Sequence, residues 1–162
     1  MVEQLGEVDF ALAAFRRDDR WVVDELSHDL PADVESLGRA LGRFADDGPV
    51  GALGLVAIDD DFLLILRVVA GRTRLLLSDV TAAEEWDLAQ SALEALGLPS
   101  SDDDEQVPAG DLDLLGDLGL GEVELGVMLD DPDLYPDELL SDVARIVGFG
   151  ELFDDVVGLT SA

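Results

Sequence analysis

Residues 62–69, Phe-Leu-Leu-Ile-Leu-Arg-Val-Val, are apolar at every position except Arg67. Successive side chains of a strand point to opposite faces. A strand with this sequence is therefore apolar on both sides and needs cover on both. The chain must fold in layers around this segment, and something outside the sheet has to supply each layer.

The neighbouring residues read as the rest of the sheet. Residues 51–58 (Gly-Ala-Leu-Gly-Leu-Val-Ala-Ile) and 73–78 (Thr-Arg-Leu-Leu-Leu-Ser) are strand-like, and the links Asp59-Asp60-Asp61 and Ala70-Gly71-Arg72 are short enough for an antiparallel meander. Residues 8–15 and 21–26 predict a hairpin across the charged link Arg16 to Arg20, with Trp21 packed in the sheet. Between these two groups, Val34, Leu37, Leu41 and Phe44 recur at helical spacing from Asp33 onward. Thr81-Ala82-Ala83-Glu84 is a capping-box pattern, predicting a helix with Trp86, Ala89, Leu93 and Leu96 on one face, closed by Gly97 and Pro99. The order β-β-α-β-β-β-α predicts an α+β fold with a five-stranded antiparallel sheet. Over residues 8–97 that order resembles the longin, roadblock and profilin-like folds.

From residue 100 to 110 the sequence turns polar, with Asp102, Asp103, Asp104 and Glu105 in a row. This predicts an acidic linker between a sheet domain, 1–99, and a helical extension, 111–162. Helical patterns run from about 118 to 130, from 136 to 148 behind Pro136, and over a short stretch around 152–157. The extension is expected to cover the sheet through Leu139, Val143 and Ile146, leaving Glu138 and Asp142 outward.

Charge narrows the classes of partner. The chain carries 38 Asp and Glu against 9 basic residues, all Arg, for a net charge of −29. Residues 101–162 alone hold 18 of those acids and a single Arg, Arg145. Such a field repels phosphate backbones and anionic lipid and attracts basic proteins. Direct nucleic-acid or membrane binding is not expected. Asp102, Asp103, Asp104, Glu105, Glu138 and Asp142 are the candidate partner-binding residues. Zero Cys removes disulfides, thiol nucleophiles and thiolate metal sites and fits a reducing compartment. Glu3, Glu7 and Asp9 stand where a signal peptide would carry positive charge, and no apolar run reaches the ~18 residues of a membrane span. A cytoplasmic protein is expected.

No catalytic constellation emerges. His28 is the only histidine, and no Gly-x-Ser-x-Gly elbow exists to partner it. Residues 111–122 match an EF-hand loop at Asp111, Asp113, Gly116 and Glu122, but Leu115 occupies the fifth position, where an oxygen donor is needed. The alternative is an acidic turn leading into a helix. No glycine-rich phosphate loop is present. The expectation is a protein without enzymatic activity, metal or cofactor.

Three stretches carry a family resemblance: Leu75 to Ala83 (Leu-Leu-Leu-Ser-Asp-Val-Thr-Ala-Ala), Pro108 to Leu114 (Pro-Ala-Gly-Asp-Leu-Asp-Leu), and Glu124 to Asp131 followed by Leu134 to Glu138. Together, in this order, they resemble the bacterial tRNA adenosine deaminase-associated proteins. The resemblance implies association with tRNA adenosine deaminase and brings no catalytic residues with it. The chain cannot itself be a zinc deaminase of the His-x-Glu…Pro-Cys-x-x-Cys type, since it has no Cys and His28 is followed by Asp29-Leu30. A deaminase that binds tRNA needs a basic surface for phosphates, which a polyanionic partner would seek. Two other readings stay open: an acidic nucleic-acid mimic aimed at another basic protein, and an enzyme built on an acidic metal site around Asp111, Asp113 and Glu122.

Overall fold

The computed structural model describes residues 8–17, 20–26, 33–44, 50–58, 62–81, 86–97, 108–131 and 135–157. Six strands, β1 (Val8–Arg17), β2 (Arg20–Glu25), β3 (Ala52–Ile58), β4 (Phe62–Val69), β5 (Arg72–Leu77) and β6 (Ala109–Gly110), form one antiparallel sheet in the order β2-β1-β3-β4-β5-β6. The all-apolar segment is β4, inside the sheet, with Leu55 of β3 opposite Ile65 and Leu77 of β5 opposite Leu64. The turn between β4 and β5 places Ala70 and Gly71 at φ +51° and +79°, the positive values that tight two-residue hairpins require.

Both faces of β4 are covered, each by different helices. Phe62, Leu64, Leu66 and Val68 join a core with α1 (Val34–Gly42) and α2 (Asp87–Leu96). Leu63 and Ile65 join a second core built with the C-terminal helices α3 (Glu122–Asp130), α4 (Pro136–Val147) and α5 (Gly150–Val157). The result is three layers, helices on either side of the sheet. Among the described residues, no helix is long and apolar enough to cross a membrane.

Helix α1 starts where Asp33 caps it, its Oδ1 accepting the Ser36 amide at 2.7 Å. That hydrogen bond, above all, holds the Asp33 carboxyl below the usual carboxylate range. Leu37 and Leu41 are wholly buried, and Leu41 lies over Gly54 of β3 so closely that a Cβ there would stand 2.7 Å from its Cδ1. Helix α2 ends on Gly97 at φ +74°, the left-handed cap expected of it, and Trp86 packs edge-on against Phe62 at 5.9 Å.

Three expectations need correction. The sheet has six strands rather than five, because Ala109 and Gly110, inside the stretch read as a linker, pair with Leu77 and Leu76. Two residues are too few to show a strand period. Helix α2 opens at Asp87 rather than behind Thr81. The Thr81 amide and hydroxyl instead donate to Asp79 Oδ1 at 2.9 and 2.7 Å, a local Asx turn that competes with capping. Finally, of the three residues expected to cover the sheet, Leu139 and Val143 are buried but Ile146 is 37% exposed.

Candidate protein-binding surface

The segment between β6 and α3 decides how the C-terminal helices lie. Leu114, Leu115 and Leu120 are fully buried in the second core, while a short 3-10 turn, Gly116–Leu118, closes on Gly119 at φ +110°. Two arginines of the sheet hold this segment from below. Arg67 donates to the Leu114 carbonyl at 2.8 Å and to the Val50 carbonyl at 3.1 Å, and grips the Asp117 carboxylate with both terminal nitrogens. Arg74 Nε and Nη2 both lie 2.5 Å from Asp111 Oδ2, and Asp111 Oδ1 accepts the Asp113 amide at 2.9 Å. Burying the Arg67 guanidinium would be prohibitive without these partners.

Helix α3 follows with an unusual composition. Its core-facing side carries Leu125, Met128 and Leu129, and its opposite side carries Val123 and Val127, one turn apart. A helix that is apolar on two opposite sides normally has neighbours on both. Here the outer side is open: Val123 is 76% and Val127 66% exposed. Beside them runs the edge of α4, and the two helices enclose an open groove of about 370 Å³ lined by Val123, Glu124, Val127, Met128, Asp142, Arg145 and Ile146. Arg145 donates to Asp142 Oδ1 at 2.6 Å.

Of the predicted partner-binding residues, Asp142 lies in the wall of this groove and is already paired with Arg145. Glu138 is exposed at the start of α4, where its Oε1 accepts the Tyr135 amide at 3.2 Å and so caps the helix. Asp102, Asp103, Asp104 and Glu105 lie outside the described residues, as do His28 and the Asp59-Asp60-Asp61 turn. In residues 111–122 the carboxylates do not converge as an EF-hand requires: Asp111 is engaged by Arg74, and Glu122 sits in the first turn of α3. Among the described residues, no group of three or more His, Asp or Glu could hold a metal ion. The groove itself was missed because sequence spacing assigned Ile146 to the core. The signal that could have found it is the alternation Glu122, Val123, Glu124 followed by Val127, an apolar pair at i, i+4 opposite Leu125.

A second hollow, about 470 Å³, opens where Trp21 of β2 meets the α4–α5 corner. Its floor is structural, since Trp21 packs on Phe149 with ring centres 4.9 Å apart.

Comparison with known proteins adds a family. The sequence model described as Rv3753c-like tRNA adenosine deaminase-associated protein matches residues 9–150. Protein Rv3753c of Mycobacterium tuberculosis (strain ATCC 25618 / H37Rv) is 38% identical over 153 residues, which span 91% of this chain and 87% of that protein. No solved structure matches.

Proposed function

Because this chain belongs to the Rv3753c-like tRNA adenosine deaminase-associated protein family, we propose that it is a non-catalytic, cytoplasmic binding protein that associates with tRNA adenosine deaminase and limits or tunes its access to tRNA. The observation that carries this reading is the charge: −29 over 162 residues, with 18 acids and one Arg after residue 100. A deaminase surface that receives tRNA has to be basic. A polyanion of this density would be steered to that surface and would compete there with phosphates.

Several carboxylates, Asp111 of the acidic turn among them, have local structural roles. Asp111 holds Arg74, Asp117 holds Arg67, Asp79 holds Thr81, and Asp154 accepts the Ser141 hydroxyl at 2.9 Å.

Surface plasmon resonance against purified tRNA adenosine deaminase at low and moderate NaCl tests the proposal. Association should slow as salt rises. Neutralising the run by Asp102→Asn, Asp103→Asn, Asp104→Asn and Glu105→Gln together should slow association further with little change in dissociation. Absence of binding at low salt removes the partner. Binding whose association rate ignores both salt and the neutralised run keeps the partner and removes the electrostatic mechanism.

A further inference from the structure

We infer that the groove between α3 and α4 seats an amphipathic segment of the partner, an apolar stripe bordered by arginines or lysines. The inference rests on the partner reading above and names where and by what chemistry the contact is made. Val123, Val127 and Ile146 form an open apolar strip on elements whose other sides are buried in the second core. Leu125 on the inner side of α3, and Leu139, Leu140, Val143 and Ala144 on α4, anchor the two helices that carry the strip. Glu122 and Glu124 stand exposed beside it on α3 and supply its acidic border, while across the groove on α4 Asp142 is already paired with Arg145.

Charge complementarity selects the occupant. An apolar stripe with basic flanks would bury against the valines while its cations met the carboxylate rim, the pattern of helix-in-groove recognition. A second copy of this chain fits poorly. Mating two grooves would bring the two acidic rims together within the ~8 Å Debye length of physiological salt, on bodies that each carry −29.

The test uses the full-length chain with methyl-labelled valine and isoleucine, titrated separately with purified tRNA adenosine deaminase and with a synthetic amphipathic helix bearing a leucine stripe bordered by arginines. The methyl signals of Val123, Val127 and Ile146 should shift with both. The double variant Val123→Ser, Val127→Ser, altered only at exposed positions, should dissociate from the deaminase about tenfold faster with an unchanged association rate. If the deaminase binds while these methyls stay in place, or the double variant dissociates like the wild type, the groove assignment is wrong and the partner reading stands. If the deaminase does not bind, the partner reading fails, and the peptide decides the groove: shifts at the three residues support it, and their absence overturns it. Shifts that appear on concentrating the chain alone would assign the groove to a second copy and overturn the proposal.

Discussion

Arg67, in the middle of the sheet, and Asp117, fifty residues later, form two parallel N–H···O bonds, Nη1 to Oδ1 at 2.5 Å and Nη2 to Oδ2 at 2.8 Å. The guanidinium is 2% exposed and the carboxylate 57%. The one charge on an otherwise apolar strand is thus one of the points at which the C-terminal layer is fastened to the sheet, beside Arg74–Asp111 and the second core. The fork geometry matches carboxylate to guanidinium in a way that Lys could not reproduce.

Breaking that pair should destabilise the protein in a pH-dependent way. The hydrogen bond from Arg67, more than any other influence, holds the Asp117 carboxyl below the usual carboxylate range. Its folded-state value is lower than its unfolded value, so the stabilisation is complete above the ordinary carboxylate range and is lost as pH falls through the folded value. Asp117→Asn should lower the unfolding free energy by about 2 kcal/mol at neutral pH, a figure reduced for the solvent exposure of the carboxylate. The difference between the two proteins should begin to narrow as pH falls below about 4 and go on narrowing through the lower folded value. Chemical denaturation of both across that range is the measurement. A gap that persists unchanged in acid would show that the ionic character of the pair is irrelevant.

Gly54 should tolerate no branched side chain. Leu41 of α1 occupies the space a Cβ would need, and Leu41 itself is fully buried with no open side to turn toward. Gly54→Val should cost about 1–3 kcal/mol through overpacking. Adding Leu41→Ala should recover part of that loss, giving a non-additive double-mutant cycle in denaturant melts. Simple additivity would mean that the two residues do not share the space.

Folding should strengthen with salt. The 29 uncompensated negative charges repel one another across a compact body, and the Debye length contracts from ~30 Å at 0.01 M to ~8 Å at 0.15 M ionic strength. The melting temperature should rise between those conditions. Superimposable melts would mean that the acids are locally neutralised.

Calcium should not bind tightly at residues 111–122. The Asp111 carboxylate is engaged by Arg74 and the Asp113 amide, and Leu115, at the position where a fifth-place oxygen would stand, is wholly buried in the second core. Isothermal titration in moderate salt should show no micromolar site. A stoichiometric site abolished by Glu122→Gln would reverse this conclusion.

Much of the fold was legible because its signals are local. Apolar runs and short links marked β1 to β5, and Gly97 marked a helix end through cap chemistry that acts within a few residues. What could not be read depends on partners far along the chain. Arg67 announced itself as an exception, but nothing in the sequence pairs it with Asp117. β6 exists because Asp111 and Gly110 meet the edge of β5, where a Cβ on Gly110 would collide with the Leu75 carbonyl. Ile146 continues the apolar stripe of α4 in sequence, but it lies on the flank of that stripe, while Val147 and Phe149 after it still pack into the second core. The acidic candidates were chosen by charge alone, which locates a field and does not locate a contact.

The two faces of β4 also become covered at different moments of synthesis. The residues of the first core extend only as far as Ala109, whereas the second core waits for Phe149 and Phe153, 80 and 84 residues beyond the end of the strand. At about 5–20 residues per second, that face stays open for roughly 4–17 s on each nascent chain. During that interval it is an apolar sheet surface of the kind that invites aggregation, and the polymer attached to it is dense in carboxylates. The same charge, −29 over the chain, should keep unfinished chains apart by mutual repulsion.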